Sequence, residues 1–328
     1  MIYIYNSLSN SLSNSLYDKY NNIYNKCNIL VIGIFSLLSF IPINYIYENI
    51  IRCALLSYFM IDSYKNKIDI ILHHILYSLL IIYSPFSIIK RCLIMEWTTF
   101  FLLLYKEKYN TKYIFALLWV LIRLIYIPYY FYSIYNKLNM YINNAAVLIY
   151  GFHFHWTCKI LDKHLNTSYG FSSLLLMIIP LNILDYYKCI NFSNYFLLYL
   201  QCQISFYFNV IHYHYNNNNY ISNVIRSLDN SLIFYTALKY TKFSYSLLVS
   251  ILFFIYKIII NNDNNLHRYI FVYSPIYLVN EYIFLFPFAF IGLFVIYYKM
   301  NNSSYSIIYK YIWHFCSSFL FGFSLIYK

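Results

Sequence analysis

Long apolar blocks and short polar turns alternate along the whole chain. Four stretches contain no Asp, Glu, Lys or Arg, namely 27–47, 138–158, 164–184 and 189–225. A helix needs about 20 predominantly apolar residues to cross a bilayer. In hydrocarbon, backbone N–H and C=O groups must be paired within the spanning segment, which a single span achieves only as a helix. The pattern therefore predicts an all-α protein, a polytopic transmembrane helical bundle.

Polar turns divide the apolar blocks into about 12–13 predicted spans. The first six lie near 28–47, 51–62, 69–84, 88–105, 113–135 and 140–161, and the others near 171–187, 196–215, 223–240, 243–260, 269–279, 281–299 and 306–327. The segment from Asp162 to Tyr169 is the most polar stretch between two long blocks, so it is the predicted module boundary. The predicted organisation is a disordered or interfacial tail over 1–27, a six-span module over 28–163 and a second multi-span bundle over 164–328.

Composition supports a membrane location and argues against nucleic-acid binding. Of the 328 residues, 61% are hydrophobic and 10% are charged, whereas a soluble domain has about 25% charged residues. The formal net charge is +12, but Lys and Arg concentrate near predicted helix ends, where they contact lipid headgroups. Because no basic stripe lies on a soluble face, we expect membrane lipids as partners and no nucleic acid. The seven cysteines show no CxxC spacing, so neither a zinc knuckle nor a disulfide framework is predicted.

Ionisable residues inside the predicted spans are candidates for function. Each costs about 2.5–3.5 kcal/mol to insert, so such residues tend to face the interior of a bundle. Asp62 ends the second span, and Asp69 precedes His73 by four residues, which places Asp69 and His73 on one helix face. A carboxylate in that position can fix the tautomer of an imidazole and raise its basicity. His74 points about 100° away, toward a neighbouring helix or a cavity.

The order of polar residues in the first module is distinctive. It runs Tyr-Phe-x-x-Asp at 58–62, His-His at 73–74, Glu-x-x-x-Phe-Phe-Leu at 96–102, Arg-x-x-x-x-Pro at 123–128, and then an aromatic segment with Trp156. This order resembles the TLC domain, the family of ceramide synthases and TRAM-type translocon proteins. The resemblance covers residues 28–163. It implies a protein of the endoplasmic reticulum or another endomembrane that acts in lipid metabolism or membrane-lipid homeostasis.

The chemistry that the resemblance implies depends on the fourth span. In ceramide synthases the paired histidines serve acyl transfer from acyl-CoA, and aspartates in the fourth span are also required. Here Glu96 keeps one carboxylate but Thr replaces the second acid, a pattern closer to the non-synthase members. We therefore expect lipid binding or sensing through a cavity that holds His73, His74 and Glu96. The alternative is a ceramide-synthase-like acyltransferase with acyl-CoA as co-substrate. In that case one histidine is the base or transient acyl acceptor, and Asp62 or Asp69 orients it.

A structural role for the same residues is also open. The ionisable residues of this module can form an internal network that holds the helices in register, since interhelical hydrogen bonds add about 0.6–2 kcal/mol each. The predicted lipid-binding or helix-registering residues are Arg123, Trp97 and Trp156. His153 and His155 in the sixth span are predicted to be interfacial.

The second bundle has a sparser set of polar residues. Ser205 and His212 lie seven residues apart on one helix face, Asp229 lies at the start of the next span, and His314 lies in the last. This order resembles the superfamily of alkaline ceramidases and progestin/adiponectin-type receptors, whose characterised members are zinc-dependent amide hydrolases. The resemblance implies a catalytic zinc ion bound by His212, Asp229 and His314. The sequence departs from the superfamily at Ser318, which stands where a second histidine is usual, and His214 points to the opposite side of its helix. An ion pair of Asp229 with Arg226 at a loop edge is equally compatible with the sequence.

Overall fold

The computed structural model describes residues 23–63, 67–215, 220–240, 245–260, 283–301 and 306–326. Within these ranges all regular secondary structure is helical, and no strand occurs. The predicted all-α fold is therefore confirmed for the described part of the chain. Contacts divide the chain into two compact units, Met1–Leu138 and Asn139–Lys328.

Five helices make up the described part of the first unit. They are α1 (Ile23–Leu38), α2 (Tyr45–Ser63), α3 (Ile68–Tyr83), α4 (86–106) and α5 (Lys112–Lys137). Helix α4 consists of Phe86–Cys92, the 3-10 turn Leu93–Met95 and Glu96–Lys106, which follow one another without a break. Helix α2 packs against α3, and α4 packs against α5.

The loop between α1 and α2 differs from the prediction of one span over 28–47. Helix α1 ends at Leu38 and α2 begins at Tyr45. Pro42 lies between them, and a proline has no N–H for the helical ladder and disfavours helical backbone at the residue before it. The prediction of a single span is wrong here, because the proline separates two helices.

Helix α5 changes its winding in the middle. Trp119–Tyr126 have π-helical hydrogen bonding, and the N–H of Ile127 reaches the carbonyl of Ile122. Pro128, which cannot donate a backbone hydrogen bond, follows directly. Such π-turns are rare and often occur at functional positions. Arg123 lies within this turn.

Seven helices make up the described part of the second unit. They are α6 (Met140–Leu161), α7 (Thr167–Tyr186), α8 (Phe192–Tyr215), α9 (Tyr220–Tyr240), α10 (Ser246–Ile260), α11 (Ile283–Leu285 continued by Phe286–Asn301) and α12 (Ser306–Ile326). Helix α12 packs against α7 and α11, and α8 packs against α7 and α9. These bounds agree closely with the predicted spans, and the span predicted at 269–279 lies outside the described residues.

Contacts place α6, the sixth predicted span, in the second unit. The module boundary near 163, which rests on the polar stretch between two apolar blocks, stays a prediction.

Two of the described helices are long and apolar enough to cross a membrane. They are α5, with a mean hydropathy of 1.9, and α7, with a mean hydropathy of 1.5. Four shorter apolar helices lie at Ile23–Leu38, Ile68–Tyr83, Ser246–Ile259 and Ile283–Val295.

Candidate functional sites

His74 and Asp62 meet where α2 ends beside α3. Nε2 of His74 lies 3.6 Å from Oδ2 of Asp62, and the two side chains are only 11% and 13% exposed. The other ring nitrogen, Nδ1, lies 3.0 Å from the hydroxyl of Ser63. The second carboxylate oxygen of Asp62 accepts a hydrogen bond of 2.6 Å from the Tyr24 hydroxyl on α1. A carboxylate thus orients this imidazole, and His74 is the histidine that faces α2.

Aromatic rings hold both histidines of the pair. The ring of Phe59 stacks on His74 with a centroid distance of 4.8 Å and an interplanar angle of 19°. The ring of Tyr77 lies 4.4 Å from that of His73. Both histidines are buried. Asp69 lies in the first turn of α3 and is partly exposed, and its predicted pairing with His73 stays a prediction.

A pocket lies between α2, α3 and α4, and its empty space of about 290 Å³ includes the part that is open to the outside. Its wall is formed by Leu55, Phe59, Tyr77, Leu80, Ile81, Ile89, Cys92, Leu93 and Glu96. The carboxylate of Glu96 is the one acidic group in an otherwise largely apolar wall. Because the wall includes Phe59 and Tyr77 but neither histidine, the histidines support the wall through these two rings.

Arg123 on α5 forms hydrogen bonds with α4, at the end of the 3-10 turn and in the first turn of the α-helix that follows it. Its N–H groups donate to Thr98 Oγ1 at 2.7 Å, to Thr99 Oγ1 at 3.0 Å and to the Met95 carbonyl at 3.4 Å. The guanidinium lies 4.7 Å from the centre of the Trp119 ring, and Arg123 is 5% exposed. The Thr99 hydroxyl also interacts with the carboxylate of Glu96, which Arg123 attracts electrostatically. Glu96 and Arg123 therefore belong to one polar network, as the helix-registering hypothesis predicts.

The two tryptophans occupy different environments. Nε1 of Trp97 donates to the carbonyl of Ser36 at 3.1 Å, so this residue links α4 to α1. Trp156 lies in α6, partly exposed, with its ring 6.0 Å from that of Phe152. Trp97 thus has the contacts of a helix-registering residue.

His153 and His155 are buried in the second unit, and the prediction of an interfacial position is wrong for both. Nδ1 of His155 lies 2.5 Å from the hydroxyl of Thr167. The helix carries apolar residues on nearly every side, as its buried residues from Ile142 to Cys158 show. A helix that is apolar all round lies in the interior of a bundle, which explains the burial.

The contact between Asp62 and His74 predicts a measurable coupling energy. In a double-mutant cycle of Asp62→Ala and His74→Ala, we expect a coupling of about 1–2 kcal/mol, because the two side chains share a nearly buried contact. Unfolding by urea of the purified chain in detergent micelles measures it. The matched control pairs His74→Ala with Glu48→Ala. Glu48 lies 14 residues before Asp62 on α2, about 21 Å along the axis. A coupling below about 0.5 kcal/mol for both pairs would contradict the prediction.

In the second unit, polar residues of three helices line a cavity whose empty space of about 710 Å³ includes the part that is open to the outside. Helix α8 contributes Gln201, Ser205 and Asn209, α9 contributes Asp229, and α12 contributes Lys310, His314 and Ser317. All seven are buried. Spacings of three or four residues bring the members of each helix to one face. Apolar and aromatic side chains such as Phe208, Trp313 and Phe321 complete the wall.

Hydrogen bonds connect the polar residues of this cavity across helices. Nδ1 of His314 lies 2.9 Å from the Ser172 hydroxyl on α7, and Nε2 lies 3.4 Å from the Ser205 hydroxyl on α8. The side-chain amide of Asn209 donates to Ser205 at 3.5 Å and to Ser173 at 3.1 Å. Three serines, a histidine and an asparagine thus share one buried series of hydrogen bonds.

Asp229 lies in the middle of α9 and not at a loop edge. Helix α9 covers Tyr220–Tyr240, so the prediction that Asp229 begins a span is wrong. Its Oδ1 accepts a hydrogen bond of 3.1 Å from the amide of Gln201. Arg226 donates to Asn223, one helical turn earlier, at 3.0 Å.

The predicted zinc site stays a prediction. Asp229 and His314 line the same cavity, but no group of three or more His, Cys, Asp or Glu in the described ranges could hold a metal ion. His214 lies 3.6 Å from Asp162, away from the cavity wall. The side chain of His212 lies outside the described residues. The two ring nitrogens of His314 each face a serine hydroxyl.

Several residues were not predicted from the sequence: Lys310, Gln201 and Asn209 line this cavity, and Ser172 contacts His314. A lysine near the start of an apolar block is usually a headgroup anchor. The signal that distinguishes Lys310 is its spacing of four from His314, which puts both on one face of α12. Gln201, Ser205 and Asn209 repeat the same spacing on α8.

No family model, no curated protein and no solved structure matches this chain. Both family resemblances therefore rest on the order of residues in the sequence alone. The geometry of the two cavities carries the functional conclusions that follow.

Proposed function

We propose that the chain is a polytopic helical membrane protein of the endoplasmic reticulum or another endomembrane that binds a lipid in its first unit. Its role lies in lipid metabolism or membrane-lipid homeostasis. The observation that carries this proposal is the cavity between α2, α3 and α4, whose wall is largely apolar with the carboxylate of Glu96 as its acidic group. The resemblance to the TLC domain over residues 28–163 supports the same role.

The distribution of apolar side chains supports several membrane spans. Large apolar side chains are exposed on helices of both units, among them Leu30, Ile46, Met60, Leu117, Ile125, Ile255 and Phe290. Charged and polar side chains such as Arg123, Asp229 and Lys310 are buried. Soluble proteins rarely expose extended apolar surface and rarely bury charged residues. A protein with exposed apolar side chains and buried charged side chains suits hydrocarbon as its solvent.

The cavity of the first unit suits a lipid with an apolar chain and one hydrogen-bond donor. Leu55, Leu80 and Ile89 offer contact to the chain. A carboxylate accepts hydrogen bonds, so Glu96 selects a hydroxyl, amide N–H or ammonium group. A sphingoid base carries an ammonium group and hydroxyl groups on one apolar chain, and it is the lipid class that we propose.

The same wall favours binding over the acyltransferase alternative. Acyl transfer requires a histidine within hydrogen-bond reach of the substrate. Phe59 and Tyr77 line the cavity, whereas His74 and His73 contact these rings and not the space itself.

Photocrosslinking tests the proposed lipid site. The full chain in lipid nanodiscs is incubated with a sphingoid base that carries a diazirine and an alkyne, and the crosslinked peptides are mapped by mass spectrometry. We expect adducts on peptides of α3 and α4 that line the cavity. Glu96→Gln should weaken capture about tenfold, since a hydrogen bond to a charged group contributes about 1.5–3 kcal/mol. Leu80→Trp should also reduce capture, because the larger side chain fills the space.

Glu107→Gln is the matched control, because Glu107 lies 11 residues farther along the chain and outside the wall. Equal capture by Glu96→Gln and the wild type would contradict the lipid site. Extraction of the chain from membranes by alkaline carbonate would contradict the proposal of several spans.

A further inference from the structure

The cavity of the second unit brings together a serine hydroxyl and an imidazole from distant parts of the chain. Ser205 on α8 and His314 on α12 are both buried, and their Oγ and Nε2 atoms lie 3.4 Å apart. Both residues line the cavity of the second unit. A hydroxyl within reach of a base at the wall of a cavity is the arrangement that activates a serine nucleophile.

The neighbouring groups are compatible with a hydrogen bond that Ser205 donates to His314. The side-chain nitrogen of Asn209 can only donate, so the oxygen of Ser205 accepts from it at 3.5 Å. The proton of Ser205 is then free to point at Nε2 of His314. A neutral imidazole that accepts at Nε2 carries its proton on Nδ1. That proton is donated to the hydroxyl of Ser172, 2.9 Å away.

The four members of this series of hydrogen bonds come from three helices. Ser172 lies on α7, Ser205 and Asn209 lie on α8, and His314 lies on α12. Asn209 also donates to Ser173 at 3.1 Å, which ties α8 to α7 beside the serine. The base is therefore oriented by a third group, as nucleophilic sites require.

We propose that Ser205 is the nucleophile of an acyl-transfer centre in which His314 is the general base and Ser172 is a positioning residue. The wall residues Leu176, Phe208 and Phe321 suit an apolar acyl chain, so the substrate class is a fatty acyl ester. This centre lies wholly in the second unit and does not depend on the lipid site of the first.

The reaction has two balanced steps. In the first, a bond forms between Ser205 Oγ and the acyl carbon while the bond from that carbon to the leaving oxygen breaks. The proton of Ser205 passes to Nε2 of His314 and then to the leaving alkoxide, which departs as the alcohol. In the second, the oxygen of water or of an acceptor alcohol forms a bond with the acyl carbon, and the bond from that carbon to Ser205 Oγ breaks, which releases the fatty acid or a new ester. The attacking oxygen gives its proton to Nε2 of His314, and that proton then passes to Ser205 Oγ.

An alkyl fluorophosphonate that carries an alkyne tests the nucleophile in the full chain in nanodiscs. Serine attack on phosphorus releases fluoride together with the proton, and leaves an adduct that mass spectrometry assigns to one residue. We expect an adduct on Ser205 in the wild type and none in Ser205→Ala. The rate of labelling should fall at least tenfold in His314→Gln and less in Ser172→Ala.

Ser231→Ala is the matched control, because Ser231 is a buried serine of the same unit whose hydroxyl donates to the carbonyl of Ser227. It should label at the wild-type rate.

Ser205→Cys treated with a small methanethiosulfonate reports access to this position, without any need for an activated serine. Absence of the wild-type adduct while that cysteine reacts overturns the proposal, and so does an unreactive cysteine, since substrate must also enter. A full labelling rate in His314→Gln overturns the role of the histidine. None of these outcomes bears on capture of the sphingoid probe at Glu96.

Discussion

Arg123→Met is expected to destabilise the chain by about 3–5 kcal/mol. Arg123 is buried, its N–H groups reach Thr98, Thr99 and the Met95 carbonyl, and its charge attracts the carboxylate of Glu96. Methionine keeps much of the apolar volume of the side chain but removes every donor. The variant therefore leaves the carboxylate of Glu96 in the interior without its cation, which is the costly way to break a buried charge network.

The double variant Arg123→Met/Glu96→Gln tests that cause. If the loss comes from the stranded carboxylate, removing its charge should recover a large part of it, because two neutral partners cost less than one buried charge. Thermal and urea unfolding in detergent micelles measures the three proteins. Arg91→Met is the control, because Arg91 is exposed and lies 5.5 Å from the centre of the Tyr130 ring. It should cost less than about 1 kcal/mol. A similarly small effect of Arg123→Met would show that the network does not hold α4 and α5 together.

The helices were predictable from the chain because hydrophobic length encodes them directly. Helices α6, α8 and α12 follow apolar blocks that polar turns delimit, so their bounds match the predicted spans closely. The exception is the predicted span 28–47, which is divided near Pro42. Its cause is local, and the average hydrophobicity of the block does not reveal it. A single proline inside an apolar block ends a helix without changing the apolar character of the block.

The candidate sites were predictable only in part, because they depend on which helix faces meet. Asp62 lies at the end of α2 and His74 lies on α3, the next helix in the chain, so their contact follows from two consecutive helices. Ser205 and His314 are 109 residues apart, and the apolar pattern does not specify that α8 and α12 contribute to one cavity. The sequence contained both residues as candidates, but it indicated zinc chemistry, whereas the geometry pairs each ring nitrogen of His314 with a hydroxyl.

Lys310 shows how a local rule leads to a wrong expectation. Its position in the first turns of α12 is typical of a residue that reaches the headgroups. In the structure it is buried, with Nζ 5.9 Å from the centre of the Tyr169 ring. The packing of the surrounding helices determines the environment of Lys310, and the length of its side chain does not.

Gly322→Ala is expected to destabilise the second unit by about 1–3 kcal/mol, the usual cost of adding a methyl group to a closely packed interior. At Gly322 on α12, an added Cβ would lie 2.8 Å from Cδ1 of Ile183 and 3.0 Å from Cα of Pro180 on α7. The side chain of Ile183 can move, but Pro180 contributes a backbone atom inside a helix. Helices α7 and α12 must therefore separate, and they carry Ser172 and His314. The separation should also slow fluorophosphonate labelling of Ser205.

Two comparisons show why Gly322→Ala is expected to destabilise the protein and not to stabilise it. Alanine favours a helix over glycine by about 1 kcal/mol, so Gly→Ala in a helix is stabilising wherever space allows. At Gly33 on α1 the nearest atom to an added Cβ is Cε2 of Phe100 at 3.2 Å, the edge of a ring that can shift. Gly33→Ala should therefore be neutral or stabilising, while Gly322→Ala is destabilising in the same urea titration.

Adding Ile183→Ala to Gly322→Ala should remove the side-chain clash but leave the contact with Pro180, so the two changes should couple favourably without full recovery. If both glycine variants raise stability alike, the close approach of α7 and α12 at Gly322 does not exist.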